Sequence, residues 1–157
     1  MEIAYIATPL GTARIEGDAS GVSVISILNG TEIVSEEIPD VLQQAVSELR
    51  AYFEEGRREF TFPLRPEGTD FQKKIWQLLM DIPYGKTVSY LDLSRRFGDE
   101  KAIRAVAAAN GKNPLWIVVP CHRVVGSDGS LTGYAGGLWR KKWLLEHESP
   151  SGQTTLF

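Results

Sequence analysis

Cys121 is the only cysteine among 157 residues, and it sits in the run Pro120-Cys121-His122-Arg123-Val124, directly before an imidazole and a guanidinium. A thiol with the ordinary pKa of about 8.5 is mostly protonated at neutral pH, and a nearby cation, imidazole or helix N-terminus is what turns it into a soft nucleophile. One cysteine cannot close an internal disulfide or build a multi-thiolate zinc site, so the thiol is either inert and buried or reactive. The apolar residues Ile117, Val118 and Val119 predict an extended run leading to the cysteine. Pro120 suits the first turn of a helix, which predicts the positive end of a helix dipole beside the sulfur. Neighbouring side chains on a helix point apart, so the order Cys-His does not by itself establish contact, and a structural cysteine beside a surface histidine would read the same.

The elements that must position this thiol divide the chain in two. Residues 1 to 65 predict strands over Glu2–Ile6, around Ala13–Ile15 and over Val22–Ile27, with turns at Pro9-Leu10-Gly11, Gly17-Asp18 and Asn29-Gly30. From Pro39 the residues Val41, Leu42, Ala45, Leu49, Tyr52 and Phe53 recur at helical spacing, and Gly56 stops the helix. Phe60-Thr61-Phe62 predicts a further strand, and 63–68, with two prolines and a glycine, reads as a linker. Residues 66 to 148 predict helices: one opened by a Thr69/Gln72 capping box with Phe71, Ile75, Leu78 and Leu79 on one side, one over 90–97 closed by Gly98, one over 99–110, and a last one beginning near Gly137. The fold class is therefore α/β (α+β): a small antiparallel sheet plus helix, then a helical domain with helix-turn-helix spacing, then a mobile tail over 149–157. That spacing alone points to a major groove, although many two-helix corners bind nothing. Ala105 to Ala109 present little bulk, which suits tight helix packing or close approach to a ligand.

Asn113-Pro114, then Pro120-Cys121-His122-Arg123-Val124-Val125, then Gly133-Tyr134-Ala135-Gly136-Gly137, Trp143-Leu144-Leu145 and His147-Glu148 closely resemble the O6-alkylguanine-DNA alkyltransferases, nearest their constitutive bacterial members. Phe71-Gln72-Lys73, Ile82-Pro83-Tyr84-Gly85, Ser89-Tyr90 and Arg104-Ala105-Val106 extend the likeness, so it covers nearly all of residues 70 to 148. The resemblance implies a ribonuclease H-like first domain and a winged helix-turn-helix-like second domain that binds double-stranded DNA. It implies stoichiometric, irreversible transfer of an alkyl group from O6-alkylguanine, and O4-alkylthymine, to Cys121 by a monomer. His122 would draw the thiol proton through a bound water, Glu148 would orient His122, and Asn113 would hold the active-site turns together. Arg104 would fill the gap left by a base rotated out through the minor groove, in place of the major-groove expectation. Tyr90 would turn the phosphate and assist proton donation, Tyr134 would line the pocket, the carbonyls of Cys121 and Val124 would read the guanine amino group, and the Ala135 N–H would face O6.

Some members carry serine at the Ala135 position, so any hydroxyl contribution is missing here. Others bind zinc through first-half cysteines and histidines; none precede Cys121, so no metal and no cofactor are expected. Trp116 and Trp139 flank the matched region and bear on which alkyl groups fit. The net charge of -3 conceals an asymmetry: residues 1 to 65 sum to -6 and residues 66 to 157 to +3. A mildly basic second half could face phosphates. No apolar run long enough for a membrane span and no signal peptide is readable, which predicts a cytoplasmic protein. The tail Gln153-Thr154-Thr155-Leu156-Phe157 resembles peptides that dock on bacterial sliding clamps through Gln153, Leu156 and Phe157. Two rivals remain open: a non-catalytic alkyltransferase-like lesion-binding module, which would lack the cysteine, and a cysteine hydrolase, which would turn over repeatedly.

Overall fold

The computed structural model describes residues 1–30 and 33–149, so the tail residues Gln153, Leu156 and Phe157 lie outside the described part. The chain forms two compact units, Met1–Glu67 and a second beginning at Gly68.

In the first unit, strands β1 (Glu2–Thr8), β2 (Gly11–Asp18) and β3 (Gly21–Ile27) make an antiparallel sheet in sequence order. Alternation of period two puts Ala4, Ile6, Ala13, Ile15, Ile25 and Ile27 on one buried face, with Ala4 opposite Ile15 and Ile15 opposite Ile25. A 3-10 turn, Asp40–Leu42, leads into α1 (Gln43–Glu55), and Leu42, Ala45, Val46, Leu49 and Tyr52 are buried against that face. Val41, expected inside, is exposed instead. The tighter 3-10 turn advances each residue further around the axis than an α-helix does, so Val41 falls out of phase with the residues after it.

The strand expected over Phe60–Phe62 does not form. The carboxylate of Glu48, itself buried, accepts the backbone N–H of Thr61 at 2.7 Å and its hydroxyl at 2.7 Å, which removes the donor a ladder would need. Pairing with β3 is confined to a single bridge at Leu64, where Val22 N–H donates to the Pro63 carbonyl at 2.9 Å and Arg65 N–H to the Val22 carbonyl at 2.8 Å. Part of the segment read as a linker is thus fastened to the sheet edge.

The second unit opens with α2 (Asp70–Leu79), whose capping box is complete: Gln72 N–H donates to Thr69 Oγ1 at 3.1 Å, and Thr69 N–H donates to Gln72 Oε1 at 3.0 Å. Ile75, Trp76 and Leu79 point into the core, while Phe71 and Leu78 are only half-buried. The Trp76 indole donates to the Ala109 carbonyl at 2.8 Å and so anchors α2 to α4 (Ile103–Gly111). Between them come the two-residue β4 (Val88–Ser89) and α3 (Tyr90–Phe97). Ser89 caps α3 by accepting Asp92 N–H at 2.9 Å. Gly98 ends it with φ 104, a left-handed conformation that glycine adopts without steric cost. A 3-10 turn, Glu100–Ala102, completes the helix-turn-helix, so the expected helix over 99–110 is regular α only from Ile103.

Beyond α4 the chain reaches a 3-10 turn at Cys121–Arg123 and then β5 (Val124–Val125), which runs parallel to β4 with Val88 opposite Val124 and Ser89 opposite Val125. The last helix, α5 (Leu138–Glu148), buries Leu144 and Leu145. The arrangement is the expected α+β class. Among the described residues no helix is long and apolar enough to cross a membrane.

Removing the Thr69 cap with Thr69→Ala should cost about 1 kcal/mol. A lower urea midpoint at unchanged slope checks it, and Thr69→Ser should restore most of the loss.

Candidate active site

The residues before Cys121 are not extended. Val118 N–H donates to the Trp116 carbonyl at 2.8 Å, Val119 N–H to Leu115 at 3.0 Å and Cys121 N–H to Val119 at 2.8 Å, so the segment is a chain of tight turns. The side chain of Asn113 organises them. Its Oδ1 accepts Leu115 N–H at 2.9 Å, and its Nδ2 donates to the carbonyls of Val119 at 2.8 Å and Leu115 at 3.3 Å. These bonds hold Ile117 at φ 75, a left-handed conformation that strains a β-branched residue by about 1–3 kcal/mol. The helix after Pro120 is a single 3-10 turn that passes directly into β5, so the expected dipole of a longer helix is absent at the sulfur.

Cys121 is buried, and burial pushes its thiol up to about 11, against the smaller opposing pull of the Asn113 amide and of Lys141. The sequence leaves the ionisation of Cys121 open; at this site desolvation outweighs the groups that favour the anion, which favours a neutral thiol at rest. His122 is fully buried, with Nε2 2.8 Å from Glu148 Oε2, while its Nδ1 has no protein partner. A hydrogen on Nε2 satisfies the carboxylate, which leaves Nδ1 as the basic lone pair.

Glu148 closes α5 and is itself buried. Burial opposes its charge, but His122 and Arg123 together hold the carboxyl well below the usual range. Arg123 grips it with Nε on Oε1 at 2.7 Å and Nη2 on Oε2 at 3.1 Å, and its Nη1 donates to the Ile82 carbonyl at 2.7 Å. The structure therefore brings Cys121, His122, Glu148 and Asn113 into one cluster. It adds Arg123, whose partner could not be read from spacing because Glu148 lies 25 residues along the chain.

Around this cluster, Tyr90 is half-buried at the first position of α3, and Arg104 is exposed on the first turn of α4 together with Ala105 and Ala108. Val124 is buried in β5 and Ala135 is exposed. The Tyr134 hydroxyl is buried without a protein partner. Burial pushes that phenol well above its usual value, and the Glu148 carboxylate, with Cys121 once it ionises, adds to the shift. Its ring lies 5.7 Å from that of Trp116. A Cβ added at Gly136 would come within 2.8 Å of the Tyr134 ring and 2.9 Å of Trp116, so only glycine fits between them. The Cys121 carbonyl already accepts Val124 N–H and, at 3.4 Å, the amide of Asn110. Asn110 and the buried Lys141 also escaped sequence reasoning, since an amide or a lysine on a helix ordinarily reads as a solvated position. No group of three or more candidate metal ligands occurs among the described residues.

A neutral buried thiol, a histidine oriented by a carboxylate and a helix pair with an exposed arginine define a thiol-nucleophile centre on a helix-turn-helix domain. Residues 70–150 match the family described as 6-O-methylguanine DNA methyltransferase, DNA binding domain, and residues 1–66 match the ribonuclease-like domain of the same methyltransferase. A methylated-DNA–protein-cysteine methyltransferase from Methanosarcina acetivorans is 41% identical over 94% of this chain and 98% of its own. One of the same name from Mycobacterium tuberculosis is 43% identical over 91% of this chain and 89% of its own. The crystal structure of Mycobacterium tuberculosis OGT in complex with DNA superposes with a TM-score of 0.85 at 41% identity, covering 100% of this chain and 99% of that one. The chain belongs to the 6-O-methylguanine DNA methyltransferase family.

Because the folded-state pKa of Glu148 lies below its unfolded value, its stabilisation is present above the ordinary carboxylate range and is lost as pH falls through and below that range. Glu148→Gln should leave Arg123 buried and uncompensated, at a cost of about 3 kcal/mol or more at neutral pH. Urea melts across pH should show the gap between wild type and variant narrowing toward acid.

Proposed function

We propose that this protein repairs DNA by direct reversal, taking the alkyl group of O6-alkylguanine, and of O4-alkylthymine, irreversibly onto Cys121. The observation that carries the chemistry is the polarity of His122: Nε2 is committed to Glu148, and Nδ1, on the residue that follows the chain's sole cysteine, has no protein partner. In the step, Cys121 Sγ bonds to the alkyl carbon while the carbon–O6 bond breaks and its electron pair passes to the purine. The thiol proton leaves by way of His122 Nδ1, through a bound water, and the purine regains one proton, so that guanine and an S-alkyl cysteine result. Deprotonation is coupled to attack, because the resting sulfur is a thiol. A thioether offers no acidic proton and no good leaving group, so each molecule acts once.

The target atom lies inside the duplex, and rotating the base out costs about a few kcal/mol, less at a damaged pair. Arg104 enters the minor groove and fills the stack, a role supported by its exposure on α4 beside the small residues Ala105 and Ala108. Tyr90 turns the phosphate and assists proton return, Tyr134 walls the pocket and the Ala135 N–H faces O6. The Cys121 carbonyl already has two protein donors, so reading of the guanine amino group falls chiefly on the Val124 carbonyl. The protein works as a cytoplasmic monomer, and the residues Gln153, Leu156 and Phe157 add a sliding-clamp contact. Deleting the last five residues should then weaken clamp binding without altering repair in a clamp-free assay.

Intact-protein mass spectrometry after mixing with an O6-methylguanine oligonucleotide should show a gain of one methyl group, mapped to Cys121, at one equivalent per protein. Cys121→Ser should abolish transfer while sparing DNA affinity. Repeated turnover would indicate the hydrolase, and an unmodified thiol with intact lesion binding would indicate the non-catalytic module.

A further inference from the structure

Asn110 is buried near the end of α4, the helix that carries the exposed Arg104. The backbone around it is fixed on both sides: the Ala109 carbonyl accepts the Trp76 indole at 2.8 Å, and the Asn110 carbonyl accepts Asn113 N–H at 3.4 Å. Its side chain is held more loosely. Nδ2 donates to the Cys121 carbonyl at 3.4 Å, long for such a bond, and Oδ1 is buried without a protein partner. Because the group it faces is a carbonyl, nitrogen rather than oxygen is the atom turned toward it. A carbonyl oxygen offers two lone pairs; at Cys121 the Val124 N–H takes one and the Asn110 amide the other. We infer that Asn110 is a specificity-determining residue: its amide occupies the Cys121 carbonyl and so levels the site between bases that bring a donor to that carbonyl and bases that bring an acceptor.

The inference rests on the alkyl-transfer reading given above and extends it to the choice of base. O6-alkylguanine brings an exocyclic amino donor, whereas O4-alkylthymine presents a carbonyl oxygen at the matching position of its edge. Against bare Cys121 and Val124 carbonyls the guanine amino group would gain a bond at each, and the thymine oxygen would meet only lone pairs. A site built to pair with a donor rejects a ligand that lacks one, because its own acceptors are then left unpaired. With the amide in place one of the two carbonyls is satisfied in advance, so guanine gains less and thymine loses less. Asn110 acts through the Cys121 carbonyl and is in that sense a positioning residue for the base. Its single long bond lets the amide yield to a competing donor at little cost, while Trp76 and Asn113 keep the helix end in place.

The test uses the full chain as wild type, Asn110→Leu and Asn110→Ala. Each is mixed with duplexes carrying O6-methylguanine, O4-methylthymine, or O6-methylhypoxanthine, a purine without the amino group. Leucine keeps roughly the volume of the amide and removes its polarity. Single-turnover rates of methyl transfer are compared at saturating protein. Relative to O6-methylhypoxanthine, transfer from O6-methylguanine should rise about fivefold in both variants, the worth of one neutral hydrogen bond, and transfer from O4-methylthymine should fall by about the same factor. A packing role would slow all substrates alike, so unchanged ratios overturn the inference. A fall in the guanine ratio also overturns it, since Asn110 would then be aiding recognition of the amino group. A second measurement needs no change at Asn110 and decides if both variants fail to fold. In Cys121→Ser saturated with each duplex, the side-chain amide resonance of Asn110 should differ between O6-methylguanine and O6-methylhypoxanthine; coincident resonances overturn the inference. A wild type that binds these duplexes and transfers nothing would sink the repair reading, while the amide resonance would still decide the role of Asn110.

Discussion

A carboxyl group as deeply desolvated as that of Glu148 would ordinarily take up a proton; it stays charged because two cationic or donating side chains from one turn close on it. That grip joins three stretches of the second unit. Glu148 brings the end of α5, His122 and Arg123 bring the cysteine turn, and Arg123 reaches on to the Ile82 carbonyl just beyond α2. Orientation of the imidazole is a by-product of the same bond. With Nε2 pinned, the ring can present only Nδ1 elsewhere, so its orientation is set before any substrate arrives. A buried ion pair of this kind contributes little net stability against an apolar replacement, but losing one partner is severe, which makes it a device for geometry.

The sulfur illustrates which effect wins when several compete. The Asn113 amide and Lys141 favour the anion, yet desolvation prevails and leaves the thiol protonated at rest. Sequence adjacency to histidine and arginine leaves that outcome open. A protected thiol suits a protein whose only reactive group is consumed on use: a standing thiolate would be exposed to every stray electrophile and oxidant.

Elements defined by local rules were legible from the chain alone. The Thr69/Gln72 box and the Gly56 and Gly98 stops involve residues within a turn of one another, so their boundaries follow from spacing. The failures share a physical cause, a distant side chain capturing a backbone group. Phe60–Phe62 has the composition of a strand, but Glu48 takes the Thr61 N–H. Ile117–Val119 reads as extended by β-branching, but the Asn113 amide satisfies the carbonyls and donors that a ladder would use. At the site, Cys121 and His122 announced themselves by type, and the remaining roles came from family likeness. Arg123 and Lys141 could not be found that way, since what distinguishes them is burial and partner, neither of which spacing records.

The short parallel ladder between β4 and β5 has an architectural consequence. The chain leaves it at Ser89 and returns to it at Val124, two points on strands about 4.8 Å apart, and everything between is α3, α4, the Asn113 turns and Cys121. The segment is a closed excursion with coincident ends, a cassette clipped into its host at one hem. Such a cassette could be grafted between two parallel strand ends of another scaffold with little change in loop-closure entropy. It would arrive with α4 and its sulfur in mutual register, and without the carboxylate at residue 148, which the new host would have to supply.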